Sequence, residues 1–314
     1  MREMSIGAIA VGAMTVIAVG CGFDPATSTA VDADPSAPDG DPTLPVDAMP
    51  GVDTDGDGRE DALDNCASIP NPAQYNEDGD DRGDVCDACP HRAGSLAQGS
   101  DVDSDGDTIG DQCDPTAGGA DVLVVFLPFN EVGDLSAFGT RSGANQWQIG
   151  GGKLSQIATE PSTAQHVVWE TTSIAGTVAV ETRAHVDAVL GGTHERLVAV
   201  TGAYYDGSPV DTYACGLNAQ PNAATQIAAV HYSSPPTVNE IARSAASGTM
   251  VAGAQAHLVL SAFDENPNSR LGCLADSSPA TINVSGYYPE GYPGFRTVGV
   301  QASFDYLWVV DVAP

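Results

Sequence analysis

Positive charge is what this sequence has least of. Of 314 residues, 11 are Lys or Arg and 42 are Asp or Glu, a formal net charge of −31, and Lys153 is the single lysine. Such a surface repels nucleic-acid phosphates and anionic headgroups at long range, which excludes nucleic acid as a partner. Aromatic residues are sparse, at 6%. The longest apolar stretch, residues 6–19, is too short to span a bilayer comfortably. No stripe of helical period runs much beyond about ten residues. Hydrolase motifs are missing as well. Gly192-Thr-His194-Glu195 begins a zincin motif, but Val198 stands where the second histidine belongs. No serine occupies a G-x-S-x-G elbow.

What is abundant is aspartate, in three rows of one register: Asp53-Thr-Asp55-Gly-Asp57, Asn76-Glu-Asp78-Gly-Asp80 and Asp103-Ser-Asp105-Gly-Asp107. Calcium takes six to eight oxygen ligands, which a compact loop can supply from positions 1, 3, 5, 7, 9 and 12. In the first row these are Asp53, Asp55, Asp57, the carbonyl of Arg59, Asp61 and Asp64. In the second they are Asn76, Asp78, Asp80, the carbonyl of Arg82, Asp84 and Asp87. In the third they are Asp103, Asp105, Asp107, the carbonyl of Ile109, Asp111 and Asp114. Every slot is filled, and Gly56, Gly79 and Gly106 let each loop curl tightly. The expected cofactor is Ca2+. An EF-hand is disfavoured because position 12 is Asp, not Glu, and the flanks are Pro, Asn, Asp and Cys in place of amphipathic helices.

These residues resemble the thrombospondin type 3 repeat over residues 51–116. The pattern runs from Asp53 to Cys66, through Asn71-Pro-Ala-Gln74 and Asp78 to Asp87, and returns from Asp103 to Asp114. Asn76 in place of Asp, and Asp81 and Thr108 at position 6, depart from it. The resemblance implies disulfides 66–86 and 89–113, each closing a loop around an aspartate row and worth roughly 3 kcal/mol in chain entropy. Cys215 and Cys273 could pair, but spacing alone does not show that their Cα atoms approach. Cys86-Asp-Ala-Cys89 also reads as a redox or zinc half-site, although no second CxxC accompanies it. Structural disulfides in an oxidising compartment are the favoured reading.

Charge divides the chain. Residues 22–120 hold 24 acids against 3 arginines, whereas 121–314 hold 17 acids against 7 basic residues. The acidic part has few large apolar side chains, so metal and disulfides must substitute for a core.

The seventh cysteine has a separate context. Residues 1–20 combine Arg2 with an apolar stretch, as a signal peptide does, and end in Ala18-Val19-Gly20-Cys21, which resembles the bacterial lipobox. That resemblance implies cleavage before Cys21 and its lipidation, hence a membrane partner through the acyl anchor. Gly22 after it implies an outer-membrane or cell-surface address for the exported chain. An uncleaved anchor, or an ordinary signal peptide with a stray thiol, is the alternative. Residues 21–50, rich in Pro and Asp, read as an extended tether.

Beyond Gly118-Gly119 the composition changes to short β-type segments. They fall at 122–126, 166–170, 177–182, 197–201, 226–232, 257–263, 281–284, 297–302 and 306–310. The expected fold class is mainly β, an antiparallel jelly-roll sandwich over 121–314 preceded by the irregular calcium- and disulfide-stapled module. Phe138…Trp147-Gln-Ile-Gly-Gly-Gly-Lys-Leu154 and Phe304-Asp-Tyr-Leu-Trp-Val-Val-Asp311 resemble the concanavalin A-like, laminin G-like domain. Laminarinase-like enzymes of that fold carry Glu-x-Asp-x-Glu on one strand. No glutamate between 131 and 290 has Asp two residues on, and Asp264-Glu265 reads as a solvated turn.

A binding protein is therefore expected, not an enzyme. The expected role is adhesion, or recognition of a glycan or matrix protein, by the sandwich. Calcium would rigidify the repeat stalk that carries it. Tyr204-Tyr205, Tyr287-Tyr288 and Tyr292 could stack on sugars or fill hairpin edges. A glycoside hydrolase without a recognisable motif and a passive envelope spacer are the alternatives.

Overall fold

Alternation of apolar with small or polar residues beyond position 120 builds strands, and the computed structural model shows how they pair. It describes residues 51–94, 102–116, 118–143, 146–205, 211–220, 224–233, 238–244, 250–263, 269–276, 278–284 and 290–313. The signal segment, Cys21, the tether, Asp264-Glu265 and Tyr287-Tyr288 lie outside them, as do the side chains of Tyr204 and Tyr205.

Sixteen strands are formed among the described residues. They are β1 (Val122–Leu127), β2 (Phe138–Ser142), β3 (Trp147–Ile149), β4 (Leu154–Gln156), β5 (Gln165–Trp169), β6 (Val178–Val189), β7 (Arg196–Tyr205), β8 (Asp211–Ala219), β9 (Gln226–Ser233), β10 (Val238–Arg243), β11 (Gln255–Phe263), β12 (Ser269–Ala275), β13 (Ser278–Val284), β14 (Tyr292–Val298), β15 (Val300–Phe304) and β16 (Leu307–Asp311). A short 3-10 turn, Val132–Ala137, precedes β2. Sheet one runs β13-β12-β11-β6-β15-β4-β3, with β16 also on β6 and β1 on β16. Sheet two runs β10-β9-β8-β7-β14-β5-β2. All the pairings are antiparallel, and the inner faces meet in one core containing Leu154, Val180, Val198, Tyr213, Leu258, Phe295 and Phe304.

The segment expected at 297–302 is in fact a corner. Gly299, at φ 63°, breaks it into the end of β14 in sheet two and the start of β15 in sheet one. A Cβ there would lie 2.8 Å from the Glu195 carbonyl oxygen. Glycine is the residue that fits such a left-handed, close-packed turn. Strands β8 and β14 escape a propensity reading because Gly216 and Gly294 lie inside them. In each case a Cβ would come 2.1 Å from a carbonyl oxygen of the adjacent strand, so glycine here marks close backbone approach.

A second corner decides which side chains face out. Strands β15 and β16 follow one another along the same edge of β6, pairing Phe304 with Ala184 and then Trp308 with Glu181, with one extra residue on the outer strand. That bulge at Asp305-Tyr306 flips the alternation. Ala302 and Phe304 point into the core before it, and Leu307 and Val309 after it. Tyr306, Trp308 and Val310 are left on the outer face of sheet one, yet all are 1% exposed or less. The repeat segment covers them. Cys89, Ile109 and Cys113 pack with Ala179, Tyr306, Trp308, Val310 and Val312 in a separate cluster, with Phe126 at its edge. The repeat is thus not a free stalk: the described residues from Gly51 onward form one compact unit.

Candidate metal loops and their junction with the sandwich

Each aspartate row folds on hydrogen bonds to its own backbone. Asp53 accepts from the N–H groups of Gly56 (2.7 Å) and Gly58 (3.1 Å), and Asp103 accepts from Gly106 (2.7 Å) and Thr108 (2.8 Å). These bonds hold the Asp103 carboxyl below its usual range. Asn76 takes the same place in the second loop, accepting from Gly79 N–H at 2.7 Å. The position-7 N–H of Arg59, Arg82 and Ile109 caps the position-5 carboxylate of Asp57, Asp80 and Asp107, at 2.8, 2.7 and 2.8 Å. The second oxygen of each position-5 carboxylate accepts an N–H fourteen residues on, from Asn71, Gly94 and Asp121 in turn.

This framework brings carboxylate oxygens close together. Asp53, Asp55 and Asp57 form one group, Asp78, Asp80 and Asp87 a second, and Asp103, Asp105 and Asp107 a third. Asp107 also joins Asp114 and Asp121 in a fourth group. Asp121 lies just past the repeat pattern and was not among the expected ligands. Its signal was an aspartate at the fourteen-residue offset from Asp107. Asp61 and Asp111, expected at position 9, stand outside these groups. Both oxygens of Asp61 accept from Thr54, and both of Asp111 from Ser104, so they clamp the loops shut. Asp84 uses one oxygen on the N–H of Glu77, and Asp64 uses one on Cys66 N–H and Gln74. The Ile109 side chain is fully buried against the sandwich.

Several carboxylate oxygens are buried with no hydrogen-bond donor, namely the Oδ2 atoms of Asp55, Asp64, Asp78, Asp84 and Asp121. A carboxylate buried beside other carboxylates is costly unless a cation or proton compensates it. Burial, together with the charges of Asp80 and Asp84, pushes Asp78 up to about 6. Burial, with Asp121 and Asp107 nearby, does the same for Asp114, to about 6. The donor set is all oxygen, which suits a hard cation such as calcium.

Three disulfides are formed: Cys66–Cys86, Cys89–Cys113 and Cys215–Cys273. Cys86 and Cys89 belong to different bridges, so they form no redox or zinc half-site. Cys215 on β8 and Cys273 on β12 staple the two sheets through the core.

The junction is organised around Glu181 on the outer face of β6, 4% exposed. Its Oε1 lies 2.8 Å from His91 Nε2, 2.5 Å from His257 Nε2 and 3.2 Å from the Tyr306 hydroxyl, which donates to it. Arg92 Nη2 donates to Oε2 at 3.3 Å. Burial alone would raise its pKa, but the bonds from His257 and His91 prevail and hold it well below the carboxylate range. Burial in turn holds His91 below its ordinary value. His91 also packs on Trp308, with ring centroids 4.5 Å apart. Farther along, the Tyr75 hydroxyl donates to Glu131. Lys153 and His185 both contact Asp305, close to Glu77. Tyr292 lies 6.0 Å beneath the Arg141 guanidinium, and Glu195 accepts from Asn218 and Gln220.

Residues 51–74 match the thrombospondin type 3 repeat family. No curated protein matches the chain. Among solved structures, the carbohydrate-binding module CBM66 from Bacillus subtilis superposes with a TM-score of 0.40 and 11% identity, over 55% of this chain and 94% of that one. Peanut lectin does so with a TM-score of 0.42 and 7% identity, over 62% and 99%. The basic winged bean lectin bound to Tn-antigen gives 0.41 and 8%, over 61% and 99%. These likenesses are to a two-sheet architecture and extend no further. Among the described residues, no helix is long and apolar enough to cross a membrane.

Proposed function

We propose that this chain is an exported, calcium-binding surface protein, lipid-anchored through Cys21, whose sandwich recognises a glycan or matrix partner. Calcium at the aspartate rows rigidifies the repeat. The observation that carries the calcium reading is that the buried Oδ2 atoms of Asp55, Asp78 and Asp121 have no donor, and each of these residues stands among carboxylates spaced as one ion's ligands. Asp53, Asp55 and Asp57 would hold one ion, Asp78, Asp80 and Asp87 a second, and Asp103, Asp105 and Asp107 a third, with the carbonyls of Arg59, Arg82 and Ile109 in reach of the same loops. Asp107, Asp114 and Asp121 would hold a further ion. The cation neutralises the loops so that the repeat can stay folded against the sandwich.

The three disulfides support an oxidising, extracytoplasmic setting. A binding role, not a catalytic one, is supported by the missing Glu-x-Asp-x-Glu pattern. Calcium titration by calorimetry tests the first part, with sites of roughly 0.1–1 mM or tighter expected. No heat at millimolar calcium would overturn it. A glycan array beside a reducing-sugar assay tests the second. Sugar release abolished by mutating a sandwich carboxylate would replace the binding role with an enzymatic one.

A further inference from the structure

A cleft of about 380 Å³ opens where the repeat meets sheet one. His91 and Arg92 line it from the repeat, and Arg183 of β6, His257 of β11 and Tyr306 line it from the sandwich. Two arginines and two histidines converge here in a chain that has only 11 Lys and Arg and a net charge of −31. Leu274, 36% exposed, adds an apolar wall.

The acids of the cleft are already engaged. Glu181, beneath it, is held by His91, His257, Arg92 and Tyr306. Asp276, at the rim, accepts the N–H of His257 at 3.2 Å. Arg183 differs. It is exposed, lies opposite His257 in the β6–β11 register, and its guanidinium has no hydrogen bond or ion pair among the described residues. Three other cations of the sandwich are occupied: Arg141 by Glu170, Lys153 by Asp305, and Arg296 over the Tyr232 ring. A guanidinium offers a planar fork of donors that matches an oxyanion in bidentate fashion.

We propose that this cleft binds the carboxylate or sulfate group of an acidic saccharide, with Arg183 as the fork that receives it and Leu274 against the sugar ring. The inference rests on the reading of the sandwich as a glycan-recognition domain. His257 flanks the anionic group from the sandwich, and His91 and Arg92 close the far wall. Because those two residues belong to the repeat, bound ligand bridges the two parts. Ligand affinity and calcium affinity are therefore linked, each raising the other.

The test is calorimetric titration of the full chain, in millimolar calcium, with three disaccharides. One carries a glucuronate, one is the same sugar with that carboxyl reduced to the alcohol, and one carries a sulfate ester. The glucuronate and sulfate arms tell which oxyanion is preferred. At least one of them should bind, and the reduced sugar at least about tenfold more weakly, as expected for losing a charged hydrogen-bonded pair. Arg183→Ala should lose about tenfold or more, with its melting temperature unchanged because the side chain is exposed. Arg243→Ala, an exposed position on β10 of the other sheet, should bind as the parent does. Chelator should weaken binding of the acidic sugar. Glycan binding that is indifferent to Arg183→Ala, or equal for the acidic and reduced sugars, overturns the inference while the glycan reading stands. A blank array across neutral and acidic glycans overturns both. Affinity unchanged by chelator removes the bridge between the two parts.

Discussion

His91 Nε2 lies 2.8 Å from Glu181 Oε1, and that contact joins the repeat to the outer face of the sandwich. Glu181 sits on a strand whose other face is core, so the repeat serves as the second wall of sheet one. Glu181 is a buried charge held by His91, His257, the Tyr306 hydroxyl and the Arg92 guanidinium, and taking one member out of such a set leaves the others uncompensated, at a cost of about 3–5 kcal/mol. Glu181→Gln keeps the shape and removes the charge. Its expected destabilisation is about 3 kcal/mol, read by urea unfolding at saturating calcium.

The same pair sets a pH dependence. The folded-state pKa of Glu181 lies below the unfolded value of about 4.5, so its contribution is complete above that pH and is lost as pH falls below it. His91 is held below about 6.5, so the unfolded chain takes up its proton first and stability also falls as pH drops through that value. Both effects have one sign, so stability should decline progressively on acidification. In Glu181→Gln the decline below about pH 4.5 should flatten, and an unaltered slope would refute the assignment.

Calcium removal should be visible at Trp308. This indole is 1% exposed and packed under the Cys89–Cys113 staple and His91. If chelation loosens the repeat, tryptophan emission should shift to the red, and the shift should disappear in Trp308→Phe. Trp147 and Trp169 belong to the inner core and should contribute little.

Asp121 joins the third loop to the end of the sandwich: Oδ1 accepts the N–H of Ala313 at 2.7 Å, and the carboxylate groups with those of Asp107 and Asp114. Asp121→Asn should lower the calcium stoichiometry by about one ion. Asp61→Asn should leave the stoichiometry intact while destabilising its loop, since both oxygens bind Thr54. Equal stoichiometry in Asp121→Asn and the parent would remove the fourth group from the calcium reading.

The inter-sheet bridge closes a span of 58 residues. Chain entropy puts its contribution at about 4 kcal/mol. A Cys215→Ala/Cys273→Ala double variant should lose an amount of that order in unfolding free energy, read from denaturant titration, with the calcium titration unchanged.

The aspartate rows and their loop frames were legible in the sequence because a loop that wraps one ion is local: spacing within a dozen residues determines which oxygens can converge. The strands were legible for the same reason wherever apolar alternation was uninterrupted, as in β6 and β11. Legibility failed where a long-range contact decided the outcome. Gly216 and Gly294 lie inside strands because a neighbouring backbone leaves no room for a Cβ. Asp121 reads as the first residue of another domain, yet it turns back onto Asp107.

By itself, then, the sequence determined an acidic, disulfide-bearing chain with three oxygen-rich loops and a mainly β half. Only the tertiary structure decided that the two parts are packed together. The extra residue at Asp305-Tyr306 turns Trp308 outward and the repeat folds over it, a result of strand register and of contacts about two hundred residues apart. Local spacing carries no information about such a meeting.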